Sequence, residues 1–451
     1  MGSARTACLS AALALFSAAY ANPHEYHLSN GLRLIIKEDH RAPTVVQQVW
    51  YRAGSMDESI GATGVAHVLE HMMFKGTRRF PAGEFSRRVA EAGGRDNAFT
   101  STDNTVYHQQ VHRDRLPLVM QLEADRMANL VVRSEDFARE IRVVMEERRM
   151  RYEDRPRSLL NESLLATAFA AHPYKWPVIG WMSDLENMTW RDALAWYQHW
   201  YAPNNAFVVI VGDVEPKQVL AWARRYYGGL APKALAARKS LTEPVQRGAK
   251  RVTVKAPAEL PYLRLGYKVP VLRDPAKDWE PFALSLLAQI LGGNDTARLN
   301  QTLVRERRVA TSAGAEYDYL SRGPGMLFLY AAAAQGRSAA EVEAGLLETV
   351  ALVAAEGISA EELARAKTLW QAEEVYRRDS IFAQALEIGE LESAGLSFRD
   401  ANRVLEGLKA VTAAQVRAVA AKYLVEVGLT VAVLEPQPLA QRAPSVPAKE
   451  N

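Results

Sequence analysis

The chain has 451 residues, 48% of them hydrophobic and 24% charged, which fits two or three folded domains and excludes a disordered, collagen-like or polytopic membrane protein. Lys and Arg number 55 against 52 Asp and Glu, a net charge of +3; that near balance gives no electrostatic footprint for nucleic acid or anionic membrane. The single cysteine, Cys8, excludes an internal disulfide.

Arg5 and the apolar, small-residue run 7–21 end in Ala19-Tyr20-Ala21, an A-x-A pattern. Residues 1–21 therefore read as a secretory signal peptide cut before Asn22. The run is shorter than the ~20 residues a spanning helix needs, so no transmembrane segment is expected in the mature chain. Met1-Gly2 with Thr6 also matches a myristoylation pattern, but export accounts better for the apolar run behind it. Cleavage removes Cys8 and excludes cysteine catalysis. A thiol-free exported protein of this size fits a bacterial periplasm.

Residues 24–55 alternate apolar and polar around the turn signal Asn30-Gly31 and predict paired strands. Helical periodicity follows at 60–78, 84–92, 113–131 and 135–152, and 206–213 reads as a buried strand. Residues 231–250, rich in Ala, Pro and basic residues, predict a linker. The second half repeats the first coarsely. Strands are expected at 251–256 and 262–269, a helix at 276–292, a strand near 326–334, helices at 338–356, 359–378, 380–394 and 412–423, and a last strand at 428–434. Both halves close with a helix, a tyrosine and an apolar strand. This predicts an α+β protein of two similar domains, each a mainly antiparallel sheet packed with helices. The expected boundaries are 22–230 and 251–435, with a frayed tail at 436–451.

The informative segment runs from Gly64 to Phe74, GVAHVLEHMMF. On a helix, His67, Glu70 and His71 stand at i, i+3 and i+4 and share one face. Two imidazoles one turn apart can hold a single Zn²⁺, and the carboxylate between them can reach a metal-bound water. The order H-x-x-E-H is the inverse of the commoner H-E-x-x-H zinc motif. With nine histidines in the chain, a chance match arises on the order of once per hundred such sequences. Its apolar neighbours Val68, Leu69, Met72 and Met73 also imply burial, where unpartnered polar groups are costly.

Zinc needs a third protein ligand. In the helical stretch 140–149, Glu140 and Glu147 are seven apart and share a face, whereas Glu146 lies about 100° away. Glu147 is therefore the candidate ligand and Glu140 an anchor behind the ligands. Charged helices are common and usually just solvated, so spacing alone leaves this choice open.

The chain resembles the pitrilysin/insulinase family of zinc metallopeptidases, especially its small bacterial members and the mitochondrial processing peptidase. The resemblance is carried by GVAHVLEHMMFKGT (64–77), GGRDNAFTSTDNTVYH (93–108), the glutamates at 140 and 147, HPYKWPVIG (172–180), YQHWYAPNNAFVVIVGDV (197–214) and ILGGNDTARLNQTLVRER (290–307). In that family a glutamate ligand follows the motif by about 76 positions, which lands on Glu147. The resemblance implies one zinc per chain held by His67, His71 and Glu147, with Glu70 as general base on the metal-bound water and Glu140 orienting the site. Asn97, Ala98 and Phe99 match the family's edge strand, which pairs with extended substrate; Asn97 also suits a plain turn. Tyr107 and His108 fit either the site or packing.

The implied function is zinc-dependent endopeptidase cleavage of peptides or unfolded segments. The second half departs from the pattern: its corresponding helix, from Ser285 on, carries no ligands. Arg322, Tyr317 and Tyr319 lie where relatives hold a substrate-steadying Arg/Tyr pair but do not match it. Two domains also make only half of the chamber of four-domain relatives. A partner chain is therefore expected, either a similar two-domain chain lacking the motif or a second copy. The rival reading is a catalytically silent assembly or binding subunit of the same fold, but such relatives typically lose part of the ligand set.

Overall fold

The computed structural model describes residues 23–438 apart from 236 and 240. The expected signal peptide lies outside these residues, as does the tail from 439 onward. The described chain forms two sheets. The first contains β1 (His24–His27), β2 (Arg33–Glu38), β3 (Thr44–Tyr51), β4 (Arg95–Thr100), β5 (Thr105–His112) and β6 (Ala206–Gly212). Its strand order is β1-β2-β6-β3-β5-β4. The second contains β7 (Lys250–Pro257), β8 (Tyr262–Val269), β9 (Ala310–Tyr317), β10 (Gly325–Ala333) and β11 (Leu429–Gln437), in the order β7-β11-β8-β10-β9.

Setting β1 aside, the two sheets are wound identically. β2 and β6 are parallel, as are β7 and β11, and every other neighbour pair is antiparallel. The repeat expected from the sequence thus holds strand by strand, and the fold is α+β with two similar, mainly antiparallel sheets. β6 shows why its sequence reads as apolar throughout: AFVVIVG lies between β2 and β3 and is buried at every position. β7, at a sheet edge, alternates half-buried and exposed side chains over most of its length, the pattern of a strand with one solvated face.

The compact units are not contiguous in sequence. One comprises the chain as far as Met145 with Pro177–Ser240 and Ala372–Phe398; the other comprises Glu146–Trp176, Leu241–Gln371 and the chain from Arg399. A division at a linker alone therefore misplaces two segments. Helix Ile381–Ser393 buries Ala385 and Ile388 against Ile35, Val46, Trp50 and Phe207 of the first sheet. The approach is so close that a Cβ on Gly389 would lie 2.0 Å from Trp50 Cζ2. Helix Pro156–Ala168 buries Leu160 and Leu164 against Ala256, Tyr262, Met326 and Ala432 of the second sheet.

Several boundaries also differ from expectation. The helix expected over 60–78 is only Val65–Met72, because Gly61, Gly64 and Gly76 have positive φ and break it on both sides. Residues 436 and 437, expected in a frayed tail, extend β11 and pair with Ala256 and Pro257 of β7. The described residues of 231–249 form no helix or strand but are tethered: Lys233 Nζ donates to the Tyr201 carbonyl at 2.7 Å, and Glu243 accepts three backbone N–H groups from Ala170, Ala171 and His172. No helix among the described residues is long and apolar enough to cross a membrane.

Candidate metal centre

Helix Val65–Met72 is seated before it presents any side chain. Gly64, at its N-terminus, has φ +88°, and Gly180 packs against it with φ +85°. A Cβ on Gly64 would lie 2.5 Å from the Ile179 carbonyl oxygen, and one on Gly180 2.2 Å from that of Thr63. Both positions require glycine. The first-turn N–H groups, which no helix can satisfy internally, are met by an acidic side chain: Glu58 accepts from Gly64 N at 2.8 Å and Ala66 N at 2.9 Å. Asp184 accepts from Thr63 Oγ1 at 2.6 Å, fixing the preceding residue.

On this seated helix, His67 and Glu70 are each 9% exposed. The His67 and His71 rings have centroids 4.8 Å apart, as i, i+4 spacing dictates. Helix Ser134–Arg148 carries both Glu140 and Glu147. The boundary between compact units falls inside this continuous helix, two residues before Glu147. One ligand atom each from His67, His71 and Glu147 lies within 4.8 Å of the others, the one such cluster among the described residues. Two imidazoles and a carboxylate suit zinc by type and number, with a fourth position left over. The donor set fits the metal.

Glu140 stands behind the cluster. Its Oε1 lies 3.0 Å from His71 Nδ1 and its Oε2 2.5 Å from Lys75 Nζ. Burial alone would raise the Glu140 pKa, but the hydrogen bonds from His71 and Lys75 outweigh it and hold the carboxyl below its usual range. Glu147 pairs with Arg151 at 2.8 Å, while Glu146 pairs with Arg149 at 3.0 Å and is 60% exposed, as the face argument requires. The helix end is pinned by the buried Arg148–Glu162 pair, at 2.9 and 3.1 Å. Nothing in the spacing of the sequence flags Glu58, Lys75 or Arg148.

β4 ends the first sheet, paired only to β5 with Asn97↔His108, Ala98↔Tyr107 and Phe99↔Val106 in register. Its outer edge is unpaired among the described strands. Asn97 lies in the strand rather than a turn, and its Oδ1 accepts from Ala98 N at 2.9 Å. Phe99 packs edge-on against Trp50 at 6.1 Å. His108 packs between Phe99 and Phe382. Tyr107 is fully buried, its hydroxyl 2.8 Å from that of Tyr201, and Arg126 lies over its ring. Both side chains pack against neighbouring rings. In the second half, Tyr317 donates its hydroxyl to the Pro270 carbonyl at 2.5 Å. The helix corresponding to Val65–Met72 is Glu280–Gly292, which buries Phe282, Leu286, Leu287 and Ile290 and carries neither histidine nor cysteine.

Comparison with known proteins gives the family. The family model for insulinase (peptidase family M16) matches residues 33–180, and the peptidase M16 inactive domain matches residues 187–369. The chain is 34% identical over 340 residues to the zinc protease PqqE of Helicobacter pylori, covering 74% of each. It is 30% identical over 400 residues to a zinc protease of Mycobacterium leprae, covering 88% of each. A crystal structure of a protease from Helicobacter pylori superposes with a TM-score of 0.87 at 28% identity, over 92% of this chain and all of that one. The first half of the periplasmic protease PqqL from Escherichia coli shares the fold, with a TM-score of 0.78 at 21% identity over 92% of each chain. The chain belongs to the insulinase family, peptidase family M16.

Proposed function

We propose that this protein is a zinc-dependent endopeptidase acting on peptides or unfolded polypeptide segments. The observation that carries the reading is the convergence of His67, His71 and Glu147, with the Glu70 carboxylate on the same short helix. These three would hold the metal. Zinc bound there supplies a Lewis acid that polarises the scissile carbonyl and acidifies water. Glu70 takes the proton of the attacking water and passes it to the leaving amine. Glu140, on His71 Nδ1, would hold the imidazole tautomer that leaves the other ring nitrogen available to a metal. The free edge of β4 takes an extended substrate at Asn97, Ala98 and Phe99 through main-chain hydrogen bonds. A strand edge selects polypeptide over other hydrolysable substrates.

Export to the periplasm is part of this reading and rests on the composition of residues 1–21; a mature N-terminus at Asn22 by mass spectrometry tests it. So is a partner chain. The fold matches the first half of PqqL, and it covers 49% of that protein's full length. A second two-domain chain, unlike or identical, would complete an equivalent assembly.

The test is metal analysis with peptide cleavage on the purified protein, alone and with a candidate partner. About one zinc per chain is expected, with cleavage of an unstructured peptide lost to a chelator and restored by zinc. Cleavage that survives complete removal of the metal would overturn the reading.

A further inference from the structure

Successive residues of β4 face opposite sides of the sheet. On one side, Asp96 Oδ2 accepts from Ser86 Oγ at 2.7 Å, and Thr100 Oγ1 donates to Glu70 Oε2 at 2.5 Å. The threonine hydroxyl is the donor and the carboxylate oxygen the acceptor.

Thr100 is itself held in place. It pairs with Thr105 across the β4–β5 hairpin, and Thr105 Oγ1 donates to the Ala53 carbonyl at 3.0 Å. The turn that follows is closed by Ser101 N on the Asn104 carbonyl at 2.8 Å and tied to the 54–56 loop by Ser55 N on the Ser101 carbonyl at 3.1 Å. Asn104 Nδ2 donates to Ser393 Oγ at 2.7 Å. A Cβ on Gly54 would lie 2.6 Å from the Ser101 and Thr102 carbonyl oxygens, so that loop packs too tightly to admit a side chain there. The hydroxyl therefore projects from a fixed backbone onto a carboxylate with several rotatable bonds.

We propose that Thr100 is a positioning residue: its hydroxyl, set at the end of the substrate-pairing strand, orients the Glu70 carboxylate for proton transfer. This rests on the zinc peptidase reading and deepens it. One strand then carries both the edge that takes the peptide and the group that aims the base. Substrate contacts at 97–99 and the base share a single rigid support, and such support is what holds a reacting geometry within a fraction of an ångström.

The experiment compares Thr100→Val, which keeps the β-branched shape and removes the hydroxyl, with Thr100→Ser, which keeps the hydroxyl. Zinc content and unfolding midpoint are measured alongside kinetics on an unstructured peptide. T100V should lower kcat about 10- to 100-fold, with KM within about threefold and zinc content at the wild-type value. T100S should keep most of kcat. In the metal-free protein, the midpoint shifts of T100V and Glu70→Gln should fail to add in the double variant, because the two residues touch. Wild-type kcat in T100V, an equal loss of kcat in T100S, or additive midpoints would each overturn the positioning role and leave the peptidase reading standing. A zinc-loaded wild type that cleaves nothing would overturn the peptidase reading and the positioning role with it.

Discussion

Glu147 and its neighbour Glu146 stand one residue apart and meet different surroundings. Glu147 lies within ligand reach of two imidazoles, whereas Glu146 is 60% exposed beside Arg149. Glu147→Gln should therefore lose most bound zinc on dialysis, while Glu146→Gln keeps it; equal loss in both would contradict the ligand assignment. Glu140 acts one step further out. Removing a carboxylate that orients a ligand histidine typically costs 10- to 100-fold in metal affinity, so Glu140→Ala should weaken zinc binding by about that factor in a competition titration. Undiminished affinity would reduce Glu140 to a surface partner of Lys75. Helical spacing marked these residues as sharing a face, and the family resemblance singled out Glu147 among them. Lys75, Thr100 and Glu58 were not legible in the sequence: each reaches the centre across a loop or from another element, and no local period encodes that.

At the scale of elements, helix Val65–Met72 depends on what precedes it. Glu58→Ala would strip acceptors from two buried N–H groups at its first turn, a loss of about 1–3 kcal/mol. Gly64→Ala would add left-handed strain and a collision with the Ile179 carbonyl, together at least about 2 kcal/mol. Both should lower the unfolding midpoint and loosen zinc together, and thermal unfolding with zinc titration reads both quantities. The 169–175 segment adds a pH dependence. Burial pushes the His172 imidazole down to about 4, below its ordinary ~6.5. Between these values the unfolded chain binds the proton and the folded chain does not. Stability is therefore full above about pH 6.5 and falls as pH drops toward 4. Thermal melts across that window should show the slope, and His172→Gln should flatten it. The elements most easily read were those rich in apolar residues, such as β6, apolar throughout, and helix Ala339–Glu356. Strands β5 and β9 escaped because their polar residues blur the alternation.

At the scale of the whole molecule, the duplicated topology was visible only coarsely in the sequence, and the exchanged segments not at all. An amphipathic helix such as Ile381–Ser393 declares that it has an apolar face but not which sheet that face covers. The partner expected from the two-domain length gives a further test: specific activity on an unstructured peptide should rise with protein concentration or with added partner, tracking association by sedimentation. Full turnover by a monomer at all concentrations would remove the need for a second chain. The most direct test of the account is the Glu70→Gln variant, because the substitution removes the proposed base and no ligand. Measured beside wild type, the variant should stay folded and keep about one zinc per chain, yet lose peptide hydrolysis by a factor on the order of 10² or more. Substantial hydrolysis by the zinc-loaded, folded variant would contradict the account.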